Sequence, residues 1–68
     1  MNILDCIGMN LYDAVNLLKA NYPSHRITKN WIGGHDDLLR MQEFSGETNI
    51  IVVGYRDDTN IVISINKH

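Results

Sequence analysis

Asn49-Ile50-Ile51-Val52-Val53-Gly54-Tyr55, then Arg56-Asp57-Asp58-Thr59-Asn60, then Ile61-Val62-Ile63-Ser64-Ile65-Asn66: this stretch decides the fold. Its two outer runs are dense in β-branched side chains, which suit a pleated and partly buried surface. The residues between them are polar turn formers. Two such runs joined by a short polar link predict a β-hairpin. In the second run Ile61, Ile63 and Ile65 fall on one face of a strand of period two.

Upstream, the period changes. Leu11, Ala14, Val15, Leu18 and Tyr22 recur at helical spacing and make one apolar stripe, while Asp13, Asn16 and Lys19 point elsewhere. Asn10 stands where an N-cap belongs, and Asp13 faces the positive end of the helix dipole. Gly8 supplies a turn before the cap, and Pro23 ends the helix by disfavouring the helical region at Tyr22. The spacing predicts a helix over 11–21, too short to persist alone and in need of a sheet to cover. The opening Met1 to Met9 is apolar and too short for a helix of its own.

Between helix and hairpin the signal is mixed. His25-Arg26-Ile27-Thr28-Lys29-Asn30-Trp31-Ile32 places Ile27 and Trp31 on one parity, as in a half-exposed strand. Gly33-Gly34 marks a turn. Leu38-Leu39-Arg40-Met41-Gln42-Glu43-Phe44 is composed of helix formers, yet Leu39 and Met41 alternate as in a strand. The Gly-Gly turn tips the expectation toward a hairpin with 25–32. The fold class is α+β: one helix on a three- or four-stranded mixed sheet.

Composition bounds the rest. Sixty-eight residues make one domain, 1–68, and a chain this short leaves much of its surface in water. Hydrophobic residues at 44% suffice for a core. Six basic against eight acidic side chains give a net charge of −2, without the basic excess of a nucleic-acid binder. Arg26, Lys29 and Arg40 near Trp31 could stack single strands, but Asp36, Asp37, Glu43, Glu47, Asp57 and Asp58 oppose them. No apolar run is long enough to span a membrane. The start has neither a basic flank nor a small-residue cleavage site. One cysteine, Cys6, permits no internal disulfide, and an intracellular protein is expected.

The order of elements resembles the potato inhibitor I family of serine-protease inhibitors and its short relatives. Ile7-Gly8-Met9 precedes the helix, Ala14 lies inside it, Pro23 follows it, and a strand, Tyr55-Arg56, a turn and a terminal β run come after. The resemblance implies that fold. It also implies that Val53-Gly54 would be the bond presented to a protease, with Val52, Val53, Gly54, Tyr55 and Arg56 as the contacting loop, docked like a strand in the protease cleft. Such a loop inhibits because its binding geometry is preorganised. Three features set the chain apart. Thr59-Asn60-Ile61-Val62 carries no arginine to brace the loop, Gly54 loosens the presented bond, and 33–48 is an apparent insertion.

No constellation points to catalysis, a metal or a cofactor. His25, His35 and His68 lack zinc-ligand spacing, and Cys6 in its apolar stretch reads as a structural thiol rather than a nucleophile. Gly33-Gly34-His35 lacks the spaced glycines and Lys-Ser/Thr of a phosphate loop. Trp31, Leu39, Met41 and Phe44 exceed what one helix can cover, and an apolar excess of this kind marks a protein interface or a second small core. The expectation is a non-enzymatic protein-interaction or structural accessory module, binding itself or a heterologous protein. A protease inhibitor is the alternative.

Overall fold

The computed structural model describes residues 1–33, 47–56 and 58–68. The chain begins with one 3-10 turn, Ile3–Cys6, capped by Asn2, whose side chain accepts from the Leu4 N–H at 3.0 Å. The turn points Cys6 into the core. Gly8 follows at φ 92°, a left-handed conformation that only glycine adopts without steric cost.

Residues 8–11 then run as a strap along the start of the last strand. Gly8 N–H donates to the Val62 carbonyl at 2.8 Å, Val62 N–H donates to the Met9 carbonyl at 2.9 Å, and Leu11 N–H donates to the Asn60 carbonyl at 2.7 Å. The strap delivers the chain into helix α1, Leu11–Asn21. Asn10 caps it by accepting from the Tyr12 N–H at 2.9 Å. The buried face of α1 is Leu11, Ala14, Val15 and Leu18. Tyr22 N–H closes the last turn on the Leu18 carbonyl at 2.8 Å, and Pro23 allows no continuation.

Three strands form one mixed sheet in the order β1-β2-β3: β1 is Arg26–Trp31, β2 is Ile50–Arg56 and β3 is Ile61–Lys67. β1 and β2 are parallel, with Arg26 beside Ile50 and Trp31 beside Tyr55. β2 and β3 are the antiparallel hairpin expected from the sequence, with Ile51 beside Lys67 and Arg56 beside Ile61. Asn60, at φ 53°, closes the connecting turn, its N–H bonded to the Arg56 carbonyl. Asn49, at φ 58°, enters β2. Asn49 N–H bonds the His68 carbonyl, and His68 N–H bonds the Ile50 carbonyl. Two residues thus oppose one, the pattern of a bulge whose first residue is left-handed. Asparagine tolerates that region better than other non-glycine residues.

β2 is the centre of the molecule. Ile51 and Val53 point toward α1 and join Cys6, Leu11, Ala14, Val15, Leu18 and Val62 in the main core, with Ile27, Tyr55 and Ile65 packed against it. Ile50 and Val52 alternate to the other face and cluster with Ile32. All four are shut away from water, and each such side chain contributes about 1.5–3 kcal/mol of burial.

The structure therefore has the expected α+β class, with one helix and three mixed strands among the described residues. Two expectations change. Ile61, Ile63 and Ile65 do not share a face, because the register shifts between Gly54 and Tyr55. Gly54 pairs with Ser64 while Tyr55 pairs with Val62, so Ile63 is the extra residue and stands exposed, and Val62 and Ile65 face the core. Val52, Val53, Gly54, Tyr55 and Arg56 do not form a presented loop. They are paired with β1 on one side, Arg56 excepted, and with β3 on the other. The expected hairpin between 25–32 and 38–44 lies outside the described residues, and the described partner of β1 is β2.

Candidate functional site

Trp31 is the last residue of β1, the outermost described strand on that side of the sheet. Its register partner Tyr55 packs partly into the core, whereas Trp31 keeps 50% of its surface in water. A large aromatic left half in solvent at a strand terminus is what an interface anchor requires. The indole sits close beside Gly33. A Cβ at Gly33 would stand 2.5 Å from Cζ2 and 2.8 Å from Cη2 of the Trp31 indole. The ring thus lies directly on glycine backbone, in space that any other residue would fill. Of the four residues expected to form an interaction surface, Trp31 is placed here. Leu39, Met41 and Phe44 lie outside the described residues.

Two exposed ion pairs involve strand residues. Arg26 forms an ion pair with Glu47 at 2.8 Å, with both side chains well exposed. Arg56 lies 3.6 Å from Asp58. Of the basic residues considered for a stacking surface, Arg26 is thus matched by a carboxylate, Lys29 is exposed on β1, and Arg40 lies outside the described residues.

At the opposite end of β1, the His25 ring meets Tyr22 edge-on at 5.7 Å between centroids. The Lys67 ammonium lies 5.6 Å from the centroid of the same tyrosine, within cation–π range. His25 Nδ1 and His68 Nε2 are buried and have no hydrogen-bond partner among the described residues. β2 separates them: His25 precedes β1, while His68 is bonded to Ile50 from the β3 side. His35 lies outside the described residues. Among the described residues no group of three or more histidine, cysteine or acidic side chains gathers to hold a metal ion. Cys6 is fully buried. Burial, and after it the neighbouring Asp5 charge, push its thiol pKa above the ordinary value, the reverse of what activates a nucleophile. Among the described residues no helix is long and apolar enough to cross a membrane.

The sequence reading missed one local feature, the indole resting on Gly33. Its signal was present in the Trp-x-Gly spacing, since residues two apart on an extended chain lie on the same side. No protein-family profile, curated protein or solved structure matches this chain.

Proposed function

We propose that this chain is a small non-enzymatic interaction module that associates with a second copy of itself through the Trp31 end of β1. The observation that carries this is the half-exposed indole packed close to Gly33 at the end of β1. An aromatic side chain has few rotatable bonds to immobilise on docking.

A potato inhibitor I-like arrangement is part of the same proposal. Its support is the order Gly8 turn, helix, Pro23, strand, Tyr55-Arg56, turn and final strand. Inhibition through Val53-Gly54 is not, because that bond is internal to the sheet.

Sedimentation equilibrium from micromolar to millimolar protein is the test. The expected result is weight-average mass rising with concentration, and an association at least roughly fivefold weaker for Trp31→Ala, as for truncation of an interface anchor. A monomer at every concentration, or equal association of a folded Trp31→Ala variant, overturns the proposal.

A further inference from the structure

We draw no further inference here: the strongest candidate, the surface patch of exposed apolar side chains Met1, Leu4 and Ile7 in and flanking the N-terminal 3-10 turn, is an unpartnered apolar face, and nothing in the structure shows what covers it.

Discussion

Gly33→Ala tests the packing of Trp31 through the sign of a stability change. The φ of Gly33 is not in the left-handed region, which Gly8 alone among the described glycines occupies. An alanine there would therefore ordinarily stabilise by about 0.4–1 kcal/mol, by restricting the unfolded chain. The added methyl carbon instead meets the indole at 2.5 Å. The ring has to leave. A tryptophan that is half exposed has about 100 Å² out of water, given about 200 Å² for the whole side chain. At about 25 cal/mol per Å² this is about 2.5 kcal/mol as an upper bound. A displaced ring recovers part of that against other surface, so a net loss of about 1–2 kcal/mol is expected. Trp31 is the only tryptophan, so native-state fluorescence reports its displacement directly, with emission shifted to the red. Urea unfolding followed by circular dichroism gives the stability. In a Trp31→Ala background the obstruction is gone, and the same Gly33→Ala change should then stabilise. Gly8→Ala is the control: a Cβ there meets nothing within 4 Å, but φ is +92°, so it should cost about 1–2 kcal/mol of backbone strain whether or not Trp31 is present. A stable Gly33→Ala protein with unchanged emission, or equal effects in both backgrounds, would refute the packing described.

Four further outcomes follow from the geometry. Ile51→Ala removes a fully buried side chain from the main core and should cost about 2–5 kcal/mol, measured by urea unfolding. A domain of this size holds roughly 3–10 kcal/mol in total, so the variant should be marginal, and a cost below about 1 kcal/mol would deny Ile51 its central place. Asn10→Ala removes the acceptor for the Tyr12 N–H and should cost about 1 kcal/mol, with Asn10→Ser retaining most of it. Breaking the exposed Arg26–Glu47 pair with Arg26→Gln should cost less than about 1 kcal/mol, and molar salt should abolish the difference. Cys6, whose thiol pKa is raised chiefly by burial and further by Asp5, should resist alkylation in the folded protein and react once urea unfolds it. Its linkage has a definite sign. The unfolded thiol ionises first, so stability is constant below the ordinary thiol pKa and falls as pH rises above it. Cys6→Ala should flatten that alkaline decline.

Much of this fold was legible because periodicity reports burial. The stripe Leu11, Ala14, Val15 and Leu18 became the buried face of α1, and Asn10 became its cap. The hairpin was legible from two β-branched runs and their polar link. Periodicity does not report strand direction, however, so nothing in His25 to Ile32 announced that β1 would lie parallel to β2. The unbroken run Ile50-Ile51-Val52-Val53 did carry a signal: a continuous apolar strand is one buried on both faces. That signal weighs against a presented loop, and the structure follows it. The bulge at Ile63 was invisible, because a sequence read in twos has no mark for an inserted residue. Of the candidate interface, Trp31 was legible from its type and position, and the Trp-x-Gly spacing carried the signal for its place against Gly33.

The strap that lays Gly8 and Met9 against Val62 also sets an order of assembly. It ties the first residues of the chain to the hairpin at its far end, so α1, β2 and β3 are joined through hydrogen bonds that owe nothing to β1. The hairpin is local, whereas Gly8 and Val62 are more than twice as far apart in sequence as Arg26 and its β2 partner Ile50. The strap therefore closes the larger loop at the larger entropy cost, and contacts of such separation form late. Truncating Met9 should then leave the folding rate nearly unchanged and speed unfolding, the signature of a contact made after the transition state. The strap would be the first segment to peel away and the last to return.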